Sequence, residues 1–129
     1  MSIESYRDRE LNRANALLAI VNENAPKGTI CTPIERSMQR CRFRVFRPEL
    51  DEKPIVIAYS LVEAVHSEVF ADPDARRWWT KYTADMLWAA CVRRVAHGMF
   101  PHVIQNREQT VAEEEPRSPS ATLADVEVA

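Results

Sequence analysis

With 129 residues, 46% of them apolar, and a formal net charge of −2, the chain is one domain's worth of sequence and can bury a core. Gly28 and Gly98 are the only glycines, so neither a Walker loop nor a dinucleotide-binding glycine loop can be built. No charged n-region with an apolar h-region opens the sequence, and its longest apolar run, residues 86–92, falls short of a membrane span; a cytosolic protein without membrane contact is expected.

Residues 4–22, "ESYRDRELNRANALLAIVN", place Leu11, Ala14, Leu17, Leu18 and Val21 on one stripe at helical spacing. Pro26 and Gly28 end that helix. Residues 29–39 are ambiguous; Thr32-Pro33 fits the start of a short helix, with proline at its first position. The period then changes to two. Arg40, Arg42 and Arg44 alternate with Cys41, Phe43 and Val45, as in a half-buried strand. "PELDEK" reads as a turn and "PIVIAYS" as a second strand, so residues 40–59 form a hairpin with one arginine-studded face.

Ser60 caps the next helix, and Glu63 three residues on completes a capping box. Asp72 caps a longer helix that starts at Pro73 and runs to about Met99, where Gly98 weakens it and Pro101 stops it. Beyond Gln105 there are no aromatics, two prolines and an acidic triplet, the composition of a disordered tail. The expected fold is therefore α+β: an N-terminal helix, a two-stranded antiparallel hairpin and two helices packed on it. One domain spans residues 1–107, followed by a disordered acidic tail over residues 108–129.

Catalytic and metal-binding signatures are missing from the pattern. His66, His97 and His102 do not form H-E-x-x-H, and no carboxylate stands at a ligand spacing from them. His97 suits the C-terminal end of a helix dipole. No serine sits in a nucleophile elbow, and Asp72, Asp74 and Asp85 read as caps or paired charges. Cys31, Cys41 and Cys91 are odd in number and scattered, which fits reduced thiols better than a disulfide framework or a zinc site. The expectation is a protein that is not an enzyme, with no metal and no cofactor.

Charge points elsewhere. Residues 108–129 carry about −5 and the preceding 107 residues about +3, with Arg36, Arg40, Arg42, Arg44 and Arg47 clustered in one strip. A basic strip on a mildly basic body, with an acidic tail, is compatible with nucleic-acid binding; a solvated face with a solubilising tail is the bland alternative.

The stretch "RRWWTKYTADMLWAACVRRVAHGMFP", residues 76–101, holds all three tryptophans. Residues 86–92 are apolar in every direction of a helical wheel, so neighbouring elements must enclose that turn. Burying a tryptophan is worth roughly 4–6 kcal/mol from its area, against about 1–3 kcal/mol for stacking a base on an exposed ring. Trp88 is therefore core. Trp78 and Trp79 are adjacent and point apart: one packs beneath the hairpin, and the other stays half-exposed beside Arg76, Arg77 and Lys81. Arg93 and Arg94 must emerge from the packed interface or find carboxylates.

The pattern Trp79-x-x-Tyr82-x-x-Asp85-Met86-Leu87, then Ala90, Arg93-Arg94, Ala96 and Phe100-Pro101-x-Val103, resembles the C-terminal helix of RecT-like phage single-strand annealing proteins. The likeness covers roughly residues 40–104. It departs from the family at three positions: Thr83 stands where the family has proline, "WAAC" lacks the first expected arginine, and His102 replaces the aspartate after Phe-Pro. The N-terminal half of the family's sheet, which helps form the DNA groove and the oligomer interface, has no room in this sequence.

What the resemblance implies is a recombination protein that binds single-stranded DNA and self-associates. Arg40, Arg42, Arg44, Arg76, Arg77 and Lys81 would meet phosphates, with Trp78 and Trp79 beside them for bases. Annealing needs no bond chemistry, in line with the missing catalytic motifs. The alternative is a small interaction or inhibitor module directed at a host protein, in which arginine and tryptophan serve as contact anchors.

Overall fold

Helix α1 (Ile3–Asn24) opens the computed structural model, which describes residues 3–105; the tail predicted over residues 108–129 lies outside the described residues. The α1 stripe faces inward as its spacing requires: Ala14 and Val21 are fully buried, with Leu11, Leu17 and Leu18 packed at their margins. At its end the Asn24 side-chain amide donates to the Ile20 carbonyl at 2.8 Å, satisfying one of the acceptors a helix terminus leaves open. Gly28 then turns the chain at φ +94°, a left-handed conformation that glycine adopts without a Cβ clash.

Three antiparallel strands follow in spatial order β1 (Ile30–Arg36), β2 (Arg40–Phe46), β3 (Ile55–Ser60). The expected hairpin is β2–β3, running in register from Arg40 opposite Ser60 to Val45 opposite Ile55. Cys41, Phe43 and Val45 are fully buried on the inner face, so the period-two reading holds.

The two-stranded expectation is corrected to three. Residues 30–36 are a strand and not the start of a helix. Ser37 makes the β1–β2 turn: its amide donates to the Arg40 carbonyl at 3.0 Å, and its hydroxyl accepts from the amides of Gln39 and Arg40 at 3.2 Å. Pro33 is tolerated because β1 is an edge strand and the register shifts between Pro33 and Glu35.

Helix α2 (Leu61–Val65) carries the predicted capping box: the Ser60 hydroxyl accepts from the Glu63 amide at 3.1 Å, and the Glu63 carboxylate accepts from the Ser60 amide at 3.3 Å. A 3-10 turn over Glu68–Ala71 leads to Asp72, which caps α3 (Pro73–Lys81) with Pro73 at the first position.

The single long helix expected from Pro73 to Met99 is in fact two, a second correction. Tyr82 leaves helical geometry at φ −124°, ψ 52°, and α4 (Thr83–Met99) starts afresh. The Thr83 hydroxyl donates to the Trp79 carbonyl at 2.8 Å, the acceptor that an unbroken helix would offer to the Thr83 amide. Such side-chain competition bends or ends helices.

Helix α4 is the centre of the molecule, sandwiched between α1 and the inner face of the sheet. Met86, Leu87, Trp88, Ala89, Cys91, Val92, Val95 and Ala96 are all buried, which explains an apolar run with no polar side. Arg93 and Arg94 both find carboxylates: Arg93 meets Glu10 of α1 at 2.8 Å and Arg94 meets Glu63 at 3.0 Å. A final helical turn over residues 101–105 seats Ile104 in the core. Among the described residues no helix is long and apolar enough to cross a membrane.

Candidate nucleic-acid interface

Among the described residues, the helices that pack on the sheet cover the face of Cys41, Phe43 and Val45, and none of them covers the other face of β2. Directly opposite residues share a face, and the register lays out the open face in rows. Ile30 and Phe46 form one row; Thr32, Arg44 and Val56 the next; Glu35, Arg42 and Ala58 the third; Arg40 and Ser60 the last. Arg40, Arg42 and Arg44 thus stand in line down the central strand, as the alternation predicts.

The β1 bulge determines which acid joins them. In an unshifted register Ile34 would face Arg42, and Glu35 would fall opposite the fully buried Cys41. The shift puts Glu35 opposite Arg42 and Arg36 opposite Cys41. The carboxylate therefore escapes the core, where an unpaired charge would cost several kcal/mol. One oxygen, Oε1, accepts from Nε of Arg40 at 2.9 Å and from Nε of Arg42 at 2.7 Å. The hydrogen bond from Arg40, with further ones from Ser37 and Arg42, holds the Glu35 carboxyl below the usual carboxylate range. Arg36, turned to the other face, lies 4.4 Å above the Trp88 ring and pairs with Asp85 at 2.9 Å.

Arg44 differs from its neighbours. It is exposed, and among the described residues no carboxylate lies within ion-pair distance of it. Three arginines against one carboxylate leave the open face cationic, and the excess is concentrated at Arg44.

The second group of predicted site residues leaves the molecule from the helix layer. Arg76 and Arg77 are exposed on α3, Arg77 lying 3.6 Å from Asp74. The Lys81 ammonium sits 5.6 Å from the centre of the Tyr82 ring. Trp78 stacks on Tyr6 of α1 with centroids 3.7 Å apart and planes 14° from parallel, so one of its faces is covered. Trp79 is only 4% exposed, wedged between Tyr59 and Phe70 at 6.2 and 6.1 Å. It offers no ring face to a ligand, and its role is core packing. The sheet arginines and the α3 cations therefore do not form one face.

Phe46 and Glu35 belong to the open face and are not among the residues the sequence singles out. The signal for Phe46 is present, because it is the next outward position after Arg44 in the same alternation. Glu35 has no such signal, since its place depends on the bulge. A separate apolar groove of about 290 Å³ lies between residues 48–50 and 99–103. The one cation on its wall, Arg47, is bound to both oxygens of Asp51 at 2.8 and 3.0 Å. No family model, curated protein or solved structure matches this chain.

Proposed function

We propose that this chain is a cytosolic, single-stranded nucleic-acid-binding protein, a shortened relative of the RecT-like annealing proteins, and that its contact surface is the open face of the sheet. The observation that carries this reading is the line of Arg40, Arg42 and Arg44 on the outer face of β2, where among the described residues Glu35 is the one carboxylate paired with them. A flat cationic strip neutralises phosphates along an extended strand, lowers repulsion between two strands and leaves bases free to pair. That activity is positioning and not catalysis, and it requires neither cofactor nor metal. The break between α3 and α4 supports the resemblance: it falls at Tyr82-Thr83, where the resembled family carries its proline.

A titration of labelled oligo-dT at two salt concentrations tests the reading. Three phosphate contacts give a slope of log K against log salt of about −2, from about −0.7 per phosphate on single strands. Arg44→Glu makes that slope shallower and weakens binding to all sequences alike, because phosphate contacts carry no base information. Absence of binding even at low salt would sink the proposal.

A second reading, a module that docks on a host protein, has one observation in its favour. Glu35 already holds two of the three arginines, and pre-formed pairs of this kind suit an anchored protein contact. If oligonucleotides do not bind, capture of a partner that is lost with Arg44→Glu becomes the deciding experiment.

A further inference from the structure

Stacking needs a flat ring with an open face, and neither tryptophan next to the α3 cations provides a good one. Trp79 is buried, and one face of Trp78 is taken by Tyr6. Among the described residues, the strand positions of the open face include one aromatic. Phe46 is partly exposed, stands opposite Ile30 and takes no part in packing against the core. Its position follows from strict alternation: Cys41, Phe43 and Val45 are all fully buried on the inner face, so Phe46 points out with Arg40, Arg42 and Arg44.

We infer that Phe46 is a base-stacking subsite, with Arg44 as its phosphate anchor and Ile30 and Val56 as the apolar floor around it. This rests on the nucleic-acid reading above and names the part of the face that takes a base. Four features favour it. Same-face residues two apart on a strand are separated by about 6–7 Å, close to the spacing between successive phosphates of an extended single strand, so a base on Phe46 puts a neighbouring phosphate within reach of Arg44.

Arg44 is also the arginine that no carboxylate of the described residues occupies, and it adjoins the aromatic end of the face. Among the strand residues of the open face, the exposed large aliphatic side chains, Ile30 at 37% and Val56 at 48%, stand beside Phe46 and Arg44. The small side chains of Thr32 and Ala58 flank β2 on either side and leave the face flat enough for a strand to lie on it. Arg42 and Arg40, clamped by Glu35, continue the path away from the base. A cationic track that begins at a partly exposed aromatic combines the two elements that sequence-tolerant single-strand binders use.

The same face could instead cover a second copy of the chain, and the experiment separates these outcomes. The probes are oligo-dT and an abasic deoxyribose-phosphate strand of equal length, titrated at fixed low salt, with sedimentation run alongside. If Phe46 stacks a base, the wild-type chain prefers oligo-dT by about 5- to 150-fold. Phe46→Leu, which keeps an apolar side chain without a flat ring, abolishes that preference but leaves the salt slope unchanged. Phe46→Tyr restores the preference, which a merely structural role at the strand end would not predict, and thermal unfolding of each variant reports whether it folds.

Equal affinity of the wild type for both strands, with a normal salt slope, overturns the stacking site and leaves the nucleic-acid reading standing. Failure to bind either strand overturns both. A dimer dissolved by Phe46→Leu, without strand preference in the wild type, assigns the face to self-association and likewise overturns the inference.

Discussion

Trp88 is held in four ways at once. Its ring is 7% exposed, it packs on Phe43 with centroids 5.2 Å apart, the Arg36 guanidinium lies over it, and its indole N–H donates to Asn15 Oδ1 at 3.0 Å. It ties together β2, β1 and α1 from its seat in α4. Trp88→Ala should destabilise the fold by roughly 3–5 kcal/mol, the range for deleting a buried large aromatic. Chemical denaturation measures this directly, and a loss below about 1 kcal/mol would mean the ring is not part of the core. The burial of this residue is legible from sequence, since an all-round apolar turn has to be enclosed. Its hydrogen bond is not legible, because Asn15 lies 73 positions away and nothing local marks it as the acceptor.

At the level of elements, the two glycines make opposite demands. Gly98 lies in the last turn of α4 and a Cβ built there meets nothing within 4 Å. Gly98→Ala should stabilise the helix by about 0.5–1 kcal/mol, by reducing the freedom of the unfolded chain and favouring helical backbone. Gly28 has φ +94°, and a Cβ there would lie 3.2 Å from Pro48 Cγ. Gly28→Ala should therefore destabilise, through strain at positive φ and crowding of the 47–54 loop. Thermal unfolding of the pair gives shifts of opposite sign; shifts of the same sign would contradict this account.

The sheet edges show the same economy of local devices. Pro33 and the bulge blunt the β1 edge, and the Arg94 guanidinium occupies the Ala58 carbonyl of β3 at 2.8 Å. Exposed edges invite strand addition, and these features discourage it. The proposed contact surface is accordingly the open sheet face and not an edge.

For the molecule as a whole the relevant quantity is the division of charge. Residues 108–129 carry about −5 while the rest sums to about +3; under the single-strand-binding proposal, the acidic segment would compete with phosphates for the arginine line. Deleting residues 108–129 should tighten single-strand binding, most at low salt, where screening is weakest. Titration of the truncated chain at two ionic strengths checks this, and unchanged affinity at both would remove the acidic segment from the mechanism. The formal net charge of −2 conceals this split, and only the order of residues along the chain reveals it.

Features set by neighbours a few residues apart were determined by the sequence itself. The alternation in β2, the Ser60–Glu63 capping box, the Asp72-Pro73 helix start and the enclosure of residues 86–92 each follow from period or cap chemistry. What only the tertiary structure decided involves partners far apart in the chain or competition between equally good local choices. Thr32-Pro33 suits a helix start as well as an edge strand, and pairing with β2 chose the strand. Glu35 joins Arg40 and Arg42 because a one-residue bulge keeps its charge out of the core. Trp78 and Trp79 look equivalent in sequence, yet Tyr6 from α1 covers one and Tyr59 with Phe70 encloses the other. Local spacing records which way a side chain points. What meets it there depends on the packing of distant segments, driven by apolar burial that is non-directional and leaves no mark at any single position.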